Sequence, residues 1–243
     1  MIPKVIHYCW FGRNPLPKAA RKCIASWQKF FPDYEIKEWN EDNFNVNIIP
    51  FTQEAYSVKK YAYVSDYARL WVLYNYGGIY FDTDVEIIKD MTLIVNKAPF
   101  MGIEKNTTNI NLAVALGLGF SSNKGNKILC DVMNYYEKEH YITEKGINQI
   151  TIVPITTNIL IKYGFNCKNE IQQVGDFLIY PYEYFCPIEY PLGRLEITSK
   201  TVSIHHYTES WLSLSDKIKM RLFALLDTKL GQIVRKCVRW IRK

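Results

Sequence analysis

A single run, Tyr63 to Ile88 (YVSDYARLWVLYNYGGIYFDTDVEII), constrains this chain more than any other part of it. Leu70, Leu73 and Tyr74 recur at helical spacing, and Ser65 or Asp66 is placed to cap a helix N-terminus through a side-chain oxygen. Gly77 and Gly78 end that helix, because glycine enters the left-handed region without a side-chain clash. The chain then reverses into Ile79–Phe81, a short apolar run of strand-forming residues. Asp82 and Asp84 follow at once. Residues two apart in an extended segment share a face, so the two carboxylates are expected to meet at one spot. Like charges held close repel each other, and a hard divalent cation is a common reason to hold them there.

An Asp-x-Asp pair by itself is a weak signal, since on the order of one arises by chance in a chain of this size. The longer run is specific. Ser65-Asp66-Tyr67-Ala68-Arg69, followed at fixed spacing by Gly77-Gly78-Ile79-Tyr80-Phe81-Asp82-Thr83-Asp84, resembles glycosyltransferase family 32. That family includes capsular polysaccharide glycosyltransferases, and its sugar-binding region is similar to the catalytic domain of the glucosylating clostridial toxins. The resemblance covers most of residues 2 to 211. It implies an α/β fold of GT-A type: a nucleotide-sugar-binding domain with a Rossmann-like mixed sheet and flanking helices. It also implies retaining transfer of a hexose from a nucleotide diphosphate sugar to a polysaccharide or lipid-linked glycan, with Mn²⁺ or Mg²⁺ as cofactor. A UDP-sugar is the favoured donor, and GDP-mannose is also used within the family.

The resemblance gives roles to individual residues. Asp84 is expected to bind the metal directly, and Asp82 through water or by way of the ribose and sugar hydroxyls. Asp66 and Arg69 are assigned to the donor sugar; they lie three apart on one helix face, so a structural ion pair is the rival reading. Tyr80 is placed near the nucleoside, and Trp10 is the candidate platform for the nucleobase. Ser210 and Trp211 correspond to a loop that closes over the diphosphate, although here the Trp follows the Ser directly. A third metal ligand is expected in Ser203–Tyr207, where the alternation of Thr201–Tyr207 sets His205 and His206 on opposite faces; His205 is favoured.

The rest of the chain reads as alternating strands and helices. Lys4–Cys9 opens as a strand and feeds the Trp10-Phe11-Gly12 loop, at the end of a sheet strand where α/β proteins build ligand sites. Pro17–Phe30 follows as a helix with Ile24, Trp27 and Phe31 on one side, then Tyr34–Trp39 as a strand. Phe51–Val58 is a short helix, Pro99–Glu104 and Asn111–Gly119 are strands, and Asn126–Tyr136 is an amphipathic helix. Between Ile147 and Tyr163 the period is ambiguous, with helix expected only in the second half. Val174–Cys186 reads as strand and turn at the rim of an acceptor cleft.

Composition bounds the class. At 243 residues, 48% hydrophobic and 22% charged, the chain fits one large α/β domain. Six cysteines without C-x-x-C spacing read as thiols in a reducing compartment. No signal peptide or membrane span is legible, so a cytoplasmic protein is expected. The net charge of +6 would suit nucleic acid, and a metal-dependent nucleotidyltransferase or nuclease is one alternative; a non-catalytic carbohydrate-binding protein is another. Yet residues 216–243 carry nine basic against two acidic side chains, so the whole basic excess sits there and nucleic acid is not an expected partner. Ile218, Leu222, Leu225, Ile233, Cys237 and Ile241 recur near helical spacing in that tail. We therefore expect a catalytic domain over 1–213 and a basic amphipathic helix over 214–243, peripheral on the inner face of an anionic membrane or packed against protein.

Overall fold

The structure, a computed structural model, describes residues 2–105, 112–144, 146–189 and 194–208. The chain begins with β1 (Val5–Cys9), α1 (Lys18–Phe30), β2 (Glu35–Trp39), α2 (Pro50–Ser57), α3 (Tyr61–Tyr76), β3 (Gly78–Tyr80) and β4 (Val85–Ile87). It continues through α4 (Thr92–Lys97), β5 (Phe100–Glu104), β6 (Ala113–Val114), a 3₁₀ turn at Leu116–Leu118, β7 (Phe120–Ser122) and α5 (Lys127–Tyr136). A hairpin of β8 (Ile142–Thr143) and β9 (Gly146–Ile147) precedes α6 (Ile152–Lys162), β10 (Gln172–Val174), β11 (Phe177–Tyr180) and α7 (Tyr182–Phe185). The last described elements are β12 (Ile188–Glu189), β13 (Arg194–Leu195) and β14 (Ser203–His205). The expected 214–243 helix, together with Ser210 and Trp211, lies outside the described residues.

One mixed sheet has the order β2-β1-β3-β7, with β1 parallel to both β2 and β3, and β7 antiparallel to β3. A second has the order β10-β11-β5-β6, with β11 and β5 parallel. The Ser121 hydroxyl on β7 accepts the Phe100 N–H of β5 at 3.1 Å and ties the two sheets together. Strand alternation divides the core. Ile6, Tyr8, Ile79 and Phe81 pack with Trp27 of α1 and Ile94 and Val95 of α4, while Cys9 and Tyr80 pack with α2, α3, α5 and α6. Helices thus cover both faces of the sheet, the arrangement that buries a central parallel strand. No described helix is long and apolar enough to cross a membrane.

Several expected boundaries shift. Ser65 and Asp66 do not cap α3: it starts a turn earlier at Tyr61, because Tyr63 and Val64 are buried, and Ser65 Oγ donates back to the Tyr61 carbonyl at 3.1 Å. The strand expected at Asn111–Gly119 is confined to Ala113–Val114, after which buried Leu116 and Leu118 belong to a 3₁₀ turn closed by Gly119 at φ +113°. α6 reaches back to Ile152, since Pro154 falls in its first turn, where a missing N–H costs nothing. Within the expected strand and turn of Val174–Cys186, Phe177–Tyr180 is a strand buried throughout.

Candidate active site

Two elements carry the acidic run into place. Gly77 and Gly78 turn the chain from α3 into β3 with φ of +69° and +106°. A Cβ on Gly78 would lie 2.6 Å from the Val5 carbonyl oxygen, so this turn needs glycine for close approach as well as for φ. β3 ends at Tyr80, and Asp82-Thr83-Asp84 form a turn closed by the Val85 N–H donating to the Asp82 carbonyl at 3.0 Å. The carboxylates therefore converge through a turn, not through the extended segment expected. α1 fixes the far side: the Trp27 indole N–H donates to the Val85 carbonyl at 2.7 Å, and Ser26 Oγ accepts the Ile87 N–H at 2.9 Å.

Antiparallel pairing of β14 with β4 places His205 opposite Val85. His205 Nε2 lies 3.2 Å from Asp84 Oδ1 and 3.9 Å from Asp82 Oδ2. His206 points to the other face, where its Nε2 meets Glu86 at 2.8 Å. The backbone N–H and hydroxyl of Thr208, which the sequence reading missed, both donate to Asp84 Oδ2, at 2.8 and 3.0 Å. One ligand atom from each of Asp82, Asp84 and His205 lies within 4.8 Å of the others. Two carboxylates and one imidazole make an oxygen-rich donor set that suits Mn²⁺ or Mg²⁺, so the residues present fit the cofactor that the motif implies.

Asp66 and Arg69 come to the same place from α3, and they pair with each other. The Arg69 guanidinium meets Asp66 Oδ1 at 3.0 Å and Asp82 Oδ1 at 3.2 Å through NH2, Asp82 Oδ2 at 3.3 Å through NH1, and the Ser65 carbonyl at 3.1 Å through Nε. Its plane also lies over the Tyr80 ring, whose hydroxyl donates to Asp82 Oδ1 at 3.0 Å. Asp66 accepts the Ile152 N–H at the start of α6 at 3.4 Å. The ion-pair reading of Asp66 and Arg69 is thus realised, with Asp82 as its third member.

The electrostatics differ across the cluster. Burial pushes the Asp66 carboxyl up to about 6 despite the charge of Arg69, with Asp82 adding to the rise. At Asp84 burial acts in the same upward sense, but the charge and hydrogen bond of His205 and the two Thr208 donors overcome it and hold the group well below the usual carboxylate range. Burial disfavours charge on His205, and the Asp84 carboxylate more than compensates, so the imidazole pKa is raised. Trp10 stands at the end of β1, half-buried, with its indole N–H donating to the Asn14 carbonyl at 2.6 Å.

One further residue escaped the sequence reading. A Cβ on Gly117 would come within 2.4 Å of Asp82 Oδ2, so the 3₁₀ turn passes directly against the carboxylate, and a side chain there would push Asp82 from its place. The glycine among small residues was visible in the sequence; its neighbour was not.

Comparison with known proteins agrees with this geometry. A family profile described as "Glycosyltransferase sugar-binding region containing DXD motif" matches residues 17–101. Inositol phosphoceramide mannosyltransferase 1 of Schizosaccharomyces pombe is 29% identical over 111 residues, which is 41% of this chain and 33% of that protein. Inositol phosphoceramide mannosyltransferase 3 of the same yeast is 35% identical over 92 residues, 35% of this chain and 24% of that protein. The chain therefore spans a third or less of the length of these two relatives. Among solved structures, the PaToxG glycosyltransferase superposes with a TM-score of 0.53 at 20% identity, covering 66% of this chain and 69% of that one. A glycosyltransferase involved in the glycosylation of the major capsid of PBCV-1 superposes at 0.50 with 12% identity, covering 89% and 98%. Residues 17–101 thus match a glycosyltransferase sugar-binding region containing a DXD motif, with Asp82-Thr83-Asp84 as that motif, and the fold is of GT-A type.

Proposed function

We propose that the chain is a metal-dependent, retaining hexosyltransferase that draws on a nucleotide diphosphate sugar and delivers to a polysaccharide or lipid-linked glycan. The observation that carries this reading is the convergence of Asp82, Asp84 and His205 beside the Asp66–Arg69 pair, where parallel β1 and β3 end. Asp84 and His205, with Asp82 directly or through water, would hold a divalent cation, which would supply Lewis-acid charge against that building on the departing diphosphate. Asp84 suits the direct ligand because its partners keep it ionised. Asp82 already shares its charge with Arg69 and is left to orient the donor's hydroxyls together with Asp66. By the same resemblance Trp10 would stack on the nucleobase, Tyr80, buried beneath Arg69, would act on the nucleoside side through Asp82, and Ser210 and Trp211 would close over the diphosphate. We assign retention to a front-face displacement.

Trp10 favours a uracil base and hence a UDP-hexose. The mannosyltransferase names of the two yeast relatives support a mannose donor as the second reading. The test is incubation with Mn²⁺ and a panel of UDP-hexoses and GDP-mannose, scoring released nucleoside diphosphate. Release from one donor is expected, and Asp84→Asn is expected to lower it at least about 100-fold with the circular dichroism spectrum unchanged. Near-normal turnover of Asp84→Asn at saturating Mn²⁺ would remove Asp84 from this role. Saturable glycan binding without release from any donor would favour the carbohydrate-binding alternative.

A further inference from the structure

A histidine that binds a metal through one ring nitrogen almost always donates from the other to a carbonyl, carboxylate or water, and this hydrogen bond fixes its orientation. His205 departs from that pattern. Nε2 faces Asp84 and Asp82, while the buried Nδ1 has no hydrogen-bond partner among the described residues. The ring is held by a different contact: Tyr207 packs edge-on against it, with centroids 4.2 Å apart and planes at 86°. Tyr207 is itself fixed. Its hydroxyl donates to Glu104 Oε1 at 3.0 Å, at the end of β5, and lies 3.1 Å from Cys186 Sγ. Its backbone adopts φ +47°, an unfavourable setting for an aromatic residue that persists only where the surroundings enforce it. That conformation turns the chain so that Thr208, the next residue, aims its N–H and hydroxyl at Asp84.

We infer that Tyr207, pinned by Glu104, is the positioning residue that aims His205 at the metal, a part that no hydrogen bond of Nδ1 plays among the described residues. The inference rests on the metal-binding reading of Asp84 and His205. It places one hydrogen bond, Tyr207 to Glu104, in series with the geometry of two ligands: the His205 ring on one side and, through the Tyr207 backbone, the Thr208 donors to Asp84 on the other.

The experiment is titration of the full chain with Mn²⁺ alone, following free Mn²⁺ by electron paramagnetic resonance, with melting of each metal-free variant recorded alongside. Tyr207→Phe is expected to weaken Mn²⁺ binding about 10-fold, and Glu104→Leu by a similar factor. The double variant is expected to be no weaker than Tyr207→Phe alone, which already removes the bond to Glu104 together with the contact to Cys186. Glu104→Gln, whose amide oxygen still accepts from the phenol, is expected to bind within about two-fold of the unmodified chain, and weakened Mn²⁺ binding in Tyr207→Phe at an unchanged melting temperature is the outcome that a role in fold stability alone would not produce. Unchanged Mn²⁺ affinity in Tyr207→Phe, or additive losses in the double variant, would overturn the inference. Asp84→Asn separates the two levels. If it abolishes binding while Tyr207→Phe and Glu104→Leu do not alter it, only the positioning role fails; if it binds as the unmodified chain does, the metal reading fails and this inference with it.

Discussion

Arg69 is engaged at all three guanidinium nitrogens, by Ser65, Asp66 and Asp82. A buried charge left without its partner costs about 3–5 kcal/mol, so this triad locks α3 to the Asp82 turn whatever else it contacts. The elevated pKa of Asp66 shows that the compensation there is incomplete. Asp82 is hemmed in by three neighbours: Arg69 and Tyr80 bond to its carboxylate, and Gly117 passes close against it. Gly117→Ala should therefore act on the site and not on the core. Its new methyl would displace Asp82 Oδ2, and release of nucleoside diphosphate is expected to fall at least about 10-fold with little change in melting temperature. Activity within about two-fold of the parent would show that Asp82 moves aside freely.

At the scale of elements, the α3–β3 turn is supported from beneath by His7 on β1. The His7 Nε2–H donates to the Gly77 carbonyl at 3.0 Å, and its Nδ1 accepts the Trp39 indole N–H at 3.0 Å. This pairing requires the neutral ring, because protonation would set two N–H groups against each other. Burial accordingly lowers the His7 pKa to about 4, with the nearby charge of Lys37 adding to the fall. A folded pKa below the ordinary 6.5 means that the unfolded chain takes up the proton first, so stability is lost as pH falls from about 6.5 towards 4. The loss from this group approaches about 3 kcal/mol. Asp66, raised to about 6, acts in the opposite sense over part of that range, so the difference between parent and His7→Gln isolates the histidine. Melting curves from pH 7 to pH 4 should show the parent losing its advantage over His7→Gln; parallel curves would refute the assignment.

These element-level supports explain what the sequence could and could not disclose. Periodicity located β1, α1, β2 and the glycine turn because burial on one face leaves a regular apolar record. It misplaced the start of α3, where Ser65 and Asp66 look like caps but lie inside the helix, Ser65 bonded back to Tyr61 and Asp66 paired with Arg69. It read the 3₁₀ turn as strand, since buried Leu116 and Leu118 are two apart, the period of a strand. The opposed directions of His205 and His206 were legible from alternation alone. The roles of Gly117, Glu104, Tyr207 and Thr208 were not, because each depends on a neighbour distant in sequence.

For the whole molecule, charge is distributed unevenly along the chain. Residues 216–243 hold a net of seven positive charges, leaving the remainder with a net of one negative. Each basic side chain near an anionic surface contributes about 1 kcal/mol, screened by salt. The full chain is therefore expected to sediment with anionic vesicles at low salt and not with neutral ones, and a chain lacking 216–243 to sediment with neither. Failure of the full chain to bind anionic vesicles even at low salt would end the membrane reading. A change in oligomeric state on deletion would support a tail that pairs with protein.

The pairing of β14 with β4 also sets a timetable. Thr208 lies 124 residues after the Asp84 carboxylate that it contacts. At ordinary rates of synthesis that interval is roughly 6–25 s, during which the ribosome has delivered the acidic turn but neither the imidazole nor the Thr208 donors. Throughout that interval β4 is without the β14 strand that pairs with it, and Asp84 is without the groups that keep it ionised. The site is thus assembled late in the birth of the chain, and a nascent protein halted before residue 203 would carry the motif without the centre.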